Sequence, residues 1–446
     1  MRARLKSTTD NTSPLARHDP YAALRFRDFR FLLVGQFLTA FGTQMVSFGI
    51  GWELWLRTHS ELALGLVGLV QVIPVILLSL PAGNVADSYN RKRIVMIVQV
   101  MLATCSLGLA LLSWQQGSLF LIYLCLFGIG VARAFYQPAA STLMPTTVPP
   151  EHFTSAATWG STAWQLASII GPAFAGLLVA TLPLVAPLYA FDTAAGIIFL
   201  VLLTQIKGRP LALSRKGASL ESVKEGLRFI RDTKVILAAI TLDMFAVLFG
   251  GAVALLPVYA TDILKVGADG LGVMRAAPSI GAIIMAIAIT RLPPFQHAGR
   301  TLLIAVAGFG IATIIFGIST SFILSLAMLA TLGALDNISV VIRSTLMLTW
   351  TPDEMRGRTS AVNSIFIGAS NELGSFESGV TASLFGTIPA VVGGGIGTIL
   401  VVLAVAKAWP EMRHLKTLDI PERFRTPPAA VEPKQEKVLE PVDSSG

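Results

Sequence analysis

The chain repeats part of itself at a fixed distance. Residues 141–151 read S-T-L-M-P-T-T-V-P-P-E, and residues 344–354 read S-T-L-M-L-T-W-T-P-D-E. At the same separation of 203 positions, Gly130 pairs with Gly333, Ser161 with Ser364, Gly171 with Gly374 and Gly176 with Gly379. Both copies lie among runs of apolar residues. Duplication of a membrane unit leaves this record, and it constrains the chain to two related halves of about 200 residues, each a set of six spanning helices. The fold class expected is therefore all-α and polytopic, a plan typical of transporters.

Composition agrees with the repeat. Of the 446 residues, 53% are hydrophobic and 13% charged, roughly half the charged fraction of about 25% in soluble domains. The formal net charge of +8 does not point to nucleic acid, because the basic residues gather at the ends of apolar runs, where they determine topology. Cys105 and Cys125 fall inside apolar runs, and no spacing suggests a disulfide framework, a metal site or a cofactor. The first 20 residues lack an apolar core, so no cleaved signal peptide is expected.

About 20 apolar residues cross the hydrocarbon as a helix. Twelve such spans are predicted, at 31–56, 63–86, 94–113, 119–139, 153–180 and 185–205, then at 235–259, 270–290, 301–317, 320–343, 358–383 and 386–407. The divisions that follow are an N-terminal segment 1–30, a first half 31–205, a connection 206–234, a second half 235–407 and a tail 408–446. Arg91, Lys92 and Arg93 between spans two and three, and Lys207 to Lys234 between the halves, contrast with only Arg57 and Lys265 on the other side. The positive-inside rule puts both termini and the connection in the cytoplasm. Leu220, Val223, Leu227 and Ile230 recur at helical spacing and predict an amphipathic helix lying near membrane lipid, with a similar short helix over 20–30. From about 422 the Pro- and Glu-rich tail reads as disordered.

After span two, P-A-G-N-V-A-D-S-Y-N-R-K-R (81–93) resembles the signature loop of the major facilitator superfamily, through Gly83, Asp87, Arg91 and Lys92. Ser88 and Asn90 depart from the usual basic residue and glycine, and the equivalent loop 291–300 lacks the Gly and Asp. G-P-A-F-A-G (171–176) is similar to the glycine-proline motif of the antiporter branch. With G-V-A-R-A-F-Y-Q-P-A (130–139), T-P-D-E-M-R-G-R (351–358) and G-A-S-N-E-L-G-S-F-E-S-G (368–379), the likeness runs from about 20 to 415 and narrows to bacterial siderophore and macrolide exporters. The resemblance implies proton-driven export of small molecules across a bacterial inner membrane, and a gating role for the signature loop.

Charged residues inside spans are costly and supply the candidate working parts. Gly83, Asp87, Arg91 and Lys92 are candidates for a latch, or else for a fixed loop brace. Arg133 and Asp336 occupy equivalent repeat positions near the ends of spans four and ten; their opposite signs make a contact across the halves conceivable, with snorkelling as the alternative for Arg133. Asp243 is the leading candidate for proton coupling or substrate contact, a static hydrogen bond being the alternative. Glu372, Glu377, Asp192 and Glu53 are further candidates, the two glutamates projecting about 140° apart on one helix. Phe245, Phe249 and Trp164 are candidates to line a substrate cavity, although packing or interfacial anchoring suits any one of them, as it does Trp159 and Tyr136. Gly171, Gly176, Gly374 and Gly379 permit close helix contacts, and Pro172 removes a backbone donor.

The leading expectation is a monomeric secondary exporter, not an enzyme, exchanging protons for an amphipathic drug-like or siderophore-like molecule. Facilitated diffusion or uptake on the same scaffold is one alternative. A non-transporting receptor or scaffold, using the basic connection as a docking surface, is another.

Overall fold

The computed structural model describes residues 19, 21–141, 143–182, 184–207, 220–293 and 295–418; the side chains of Leu80, Asp87, Leu220 and Ser222 lie outside that description. So do residues 1–18, most of the connection and the tail from 419, and with them the expected disordered tail. Among the described residues all regular elements are helical. In order they are α1 (Arg27–Thr58), α2 (Glu61–Ser88), α3 (Arg91–Trp114), α4 (Leu119–Ser141), α5 (Phe153–Thr181), α6 (Ala186–Gln205), α7 (Leu220–Asp232) and α8 (Lys234–Phe249). There follow α9 (Leu256–Val258), α10 (Gly267–Arg291), α11 (Ala298–Ile318), α12 (Phe322–Trp350), α13 (Asp353–Phe385), α14 (Thr387–Ala408) and α15 (Pro410–His414).

Among the described residues, eleven helical stretches are long and apolar enough to cross a membrane: α1 to α6, α8 with its continuation to Ile263, α10, α11, α12 and α14. The remaining predicted span, α13, has 33 residues but is the polar one. It carries Asn363, Asn371, Glu372 and Glu377 among many serines and threonines. A helix of that make-up must keep its polar side off lipid, and α13 packs against α2 and α8.

Pairings in the first half of the chain recur in the second. α1 packs on α5 and α6, α2 on α4, and α3 on α4 and α6; correspondingly α8 packs on α13 and α14, α10 on α12, and α11 on α12 and α14. The repeat glycines explain the match. A Cβ on Gly171 would meet α1 at Gln44 and Phe41, and one on Gly374 would meet the α8 backbone at Val247. Gly130 lies against Gln71 and Pro74 of α2, and Gly333 against Pro278 of α10. Each bare face accepts a neighbour's backbone where any side chain would hold it away.

The two sets of helices meet through α2 on α13 and α5 on α10. Both junctions are tightest at the end of the bundle opposite the basic turn at Arg91–Arg93. There a Cβ on Gly379 would come within 2.5 Å of the Gly65 Cα, and one on Gly176 within 2.5 Å of the Ala268 carbonyl oxygen. Toward the basic end, added Cβ atoms at Gly160 of α5 and at Gly357 and Gly368 of α13 would meet nothing within 4 Å. The two sets are thus in backbone contact at one end, and these three glycines make no such contact toward the other.

Three local differences from expectation have physical causes. The predicted span 235–259 is broken: Gly250 and Gly251 end α8, a 3-10 turn covers Gly251–Leu255, and a π turn covers Tyr259–Ile263. Two adjacent glycines weaken the helix, and Gly251 fits against the Gly374 carbonyl and Ser378. The short helix expected over 20–30 is instead a 3-10 turn, Ala22–Arg25, with α1 starting at Arg27. In α7 the packed side runs through Gly226, which approaches the Arg358 backbone, and Ile230, while Leu227 of the predicted apolar stripe is exposed.

Candidate functional site: charged residues within the helix bundle

The first charged group lies among α8, α11 and α12. Arg343 of α12 forms an ion pair with Asp243 of α8, and both are buried. Asp336, two turns along α12 from Arg343, lines one small cavity with Asp243, Ser339 and Phe309. Its own surface is accessible. Two carboxylates therefore lie close together, and Asp243 is the one paired with the guanidinium. Burying an ion pair costs several kcal/mol of desolvation per ion, so the arrangement is retained against a penalty.

The structure also corrects the depth expected for this group. Span ten was predicted to stop at 343, whereas α12 runs to Trp350. Asp336 is consequently about 21 Å from that helix end rather than near it, and Arg343 about 10 Å inside. The early boundary is why sequence reasoning missed Arg343. An arginine at the edge of an apolar run reads as a topology marker.

The second group joins the two sets of helices. Arg133 of α4 donates to Gln71 Oε1 of α2 at 3.0 Å and to Glu372 Oε1 of α13 at 3.1 Å. The Arg133 side chain is 45% exposed and Glu372 26% exposed, so water reaches this pair, in contrast to the first. The contact conceived between Arg133 and Asp336 is not what forms. Arg133 takes Gln71 and Glu372, and Asp336 stays beside Asp243. The two repeat-related positions nevertheless share accessibility. Gln71 is 9% exposed and was also missed, since a glutamine in an apolar run carries no charge to flag it.

Other candidates stand apart from these groups. Glu53 is buried near the closed end, where it accepts from Arg57 at 3.1 Å and from the Tyr189 hydroxyl at 2.9 Å, while Arg57 also donates to the Gly117 carbonyl. It clasps α1 to α6. Asp192 accepts a 2.6 Å hydrogen bond from Ser106 and lies over Gly42, inside the first set of helices. Glu377 is bonded within its own helix, to Thr381 at 2.9 Å.

Gly83 and Asp87 belong to α2, which continues to Ser88, so the expected loop shrinks to Tyr89 and Asn90. The Asp87 side chain lies outside the described residues. Asn90 caps α3, accepting from the Lys92 amide at 3.0 Å, a role glycine cannot fill with a side chain. Lys92 Nζ donates to the carbonyls of Thr204 and Ile206 at the end of α6, and the Nε of Arg91 is buried with no partner among the described residues. Phe245 and Phe249 stack, with centroids 6.3 Å apart. Phe249 is seated over Gly397 of α14, which corrects its candidacy as a cavity residue: the ring packs against a neighbouring helix. Trp164 is exposed. Pro172 lies within α5 beside Gly272 of α10. Among the described residues no cluster of His, Cys, Asp and Glu is placed to hold a metal ion.

A two-set helical bundle with charges at its core matches known proteins along most of its length. The transmembrane secretion effector family of the major facilitator superfamily matches residues 18–441. The chain belongs to that family. It is a multi-pass membrane transport protein, not an enzyme. The enterobactin exporter EntS of Escherichia coli K12 is 24% identical over 392 residues, covering 87% of this chain and 93% of that exporter. EntS of Shigella boydii serotype 18 matches over the same extent at 24% identity. In three dimensions the chain is similar to a bacterial homologue of the human lysosomal transporter Spinster in an inward-facing, occupied conformation. The TM-score is 0.69 at 14% identity, covering 92% of this chain and 100% of that one. An inward-facing bacterial homologue of the iron transporter ferroportin gives a TM-score of 0.64 at 17% identity, covering 87% and 99%. At those identities the solved structures speak to the fold alone.

Proposed function

We propose that this major facilitator protein is a proton-coupled antiporter that exports amphipathic small molecules from a bacterial cell by alternating access. In this reading α13 is the twelfth span, the chain forms two six-helix halves that work as a monomer, and the basic end with both termini faces the cytoplasm. The tight glycine junctions would then be the closed outer gate of an inward-facing conformation. The Arg133–Glu372 pair would break and reform as the halves rock.

The observation that carries the proposal is the trio of Asp243, Asp336 and Arg343. Two carboxylates beside one guanidinium suit the gain and loss of one proton, and Asp336 is the accessible one. A static scaffold has no use for such a costly unmatched charge. Flux in proteoliposomes with an imposed proton gradient tests the reading, using a panel of macrolides, lipophilic cations and catecholates. The wild-type protein is expected to accumulate substrate only with the gradient, and Asp336→Asn to lose accumulation while keeping downhill exchange. Flux indifferent to the gradient would favour facilitated diffusion, and the absence of flux a receptor or scaffold.

A further inference from the structure

Arg275 of α10 is a charge that the trio and the cross-set pair do not use. It sits eight residues from the closed-end start of α10, about 12 Å along the helix and within the membrane-crossing stretch. Its guanidinium donates to Ser47 Oγ of α1 at 3.1 Å, and its Nε is buried without a partner. Among the described residues no carboxylate lies within ion-pairing distance of it. Arg57, Arg133 and Arg343 in the spans each hold an acid. Arg275 holds one hydroxyl.

The side chain lies where α10 meets α1 of the other set of helices. On α1, Gly35, Gly42 and Gly49 press against α6. Thr43 and Ser47 lie off that face and are exposed, and Gly51, one turn beyond Ser47, meets Pro257 and the Arg275 guanidinium from the other set. The stripe Thr43–Ser47–Gly51 therefore looks across at the second set, open at Thr43 and closed at Gly51. Arg275 is at the closing point. A Cβ on Gly51 would stand 3.0 Å from the Arg275 Nη2, so the absence of a side chain there leaves the guanidinium its place.

An uncompensated guanidinium between the two sets of helices attracts an anion, because five N–H donors and a full charge have only one neutral acceptor. We infer that Arg275 receives an anionic oxygen group, such as a carboxylate, of the exported molecule, whose apolar body then extends past Ser47 and Thr43 toward the basic end. This names the substrate class within the transport reading and rests on it. The anion competes with Ser47 for the guanidinium. Because Arg275–Ser47 is itself a contact between the two sets, a bound anion weakens one tie of the closed gate.

The test is binding to the full-length protein in nanodiscs of zwitterionic phosphatidylcholine, so that no anionic lipid headgroup can fill the site. The probes are 2-naphthoate, its methyl ester and 2-naphthylmethylammonium, followed by quenching of tryptophan fluorescence. The wild-type protein is expected to prefer naphthoate over the ester by about tenfold or more, as expected of a charge-assisted pair. Arg275→Gln should erase the preference, and Arg275→Lys should keep part of it. Equal binding of the three probes by wild-type protein overturns the assignment, and this arm requires no variant to fold. So does an anion preference that survives in correctly inserted Arg275→Gln. Gradient-driven flux with no preference for charge would sink this site and leave antiport standing. An anion preference without gradient dependence would do the reverse.

Discussion

α4 and α12 are copies of one helix that have diverged in charge but not in packing. Each lays a repeat glycine against a proline-bearing helix, Gly130 against α2 and Gly333 against α10. Three residues on, α4 has Arg133 and α12 has Asp336; seven residues further, α4 has Ala140 where α12 has Arg343. The single charge of α4 reaches outward to the other set of helices, while the charges of α12 are gathered with Asp243 on its own side. Duplication preserved the contacts that shape the bundle and left the polar positions free to specialise. One copy supplies a tie between the sets and the other an acid-rich pocket.

The largest way to break this comparison is Arg343→Leu, which leaves Asp243 buried without its cation. Removing one partner of a buried pair costs about 3–5 kcal/mol, so thermal unfolding in detergent should fall sharply, and Asp243→Asn in the same chain should recover part of the loss. If Arg343→Leu unfolds like wild type, the pair is not the buried structural unit described. Next come Gly333→Ala and Gly130→Ala. Added Cβ atoms would stand 1.8 Å from the Pro278 carbonyl oxygen and 2.6 Å from that of Gln71, and overpacking of this kind costs about 1–3 kcal/mol. Both should lower thermal stability, Gly333→Ala more; an effect at only one would mean the two helices no longer share a scaffold. The smallest effect concerns the cross-set tie. A double-mutant cycle on Arg133→Ala and Glu372→Gln should give a coupling of no more than about 1 kcal/mol, since both groups are partly solvated. Exchanging the signs of Arg133 and Asp336 should rescue neither single defect, as measured by flux, because their partners differ.

How much of this was legible in the sequence depends on whether a feature is local. Apolar runs, the 203-residue period and the paired glycines are set by the chain's own neighbours and spacing, and they anticipated the helices and their recurring contacts. Partners across the bundle are not local. Asp243 and Arg343 are 100 positions apart, and Arg133 and Glu372 are 239 apart, with no periodicity to relate them. Acidic residues in spans drew notice because their desolvation cost is plain, whereas Arg275 and Arg343, inside predicted spans, were not singled out. A glycine-rich stretch such as Gly250–Gly251 announces a break but not its geometry, which Gly374 and Ser378 on α13 decide.

The closed end of the bundle rests on backbone meeting backbone at Gly65, Gly176, Gly272 and Gly379, while the charged groups within it are walls of side chains. These two parts answer to selection in different ways. A wall of side chains can be redrawn one substitution at a time, and the molecules it admits can drift with it. A glycine seam has no neighbouring solutions, since the smallest addition collides with main chain. Lineages of such a protein can therefore change cargo readily while inheriting the same seal.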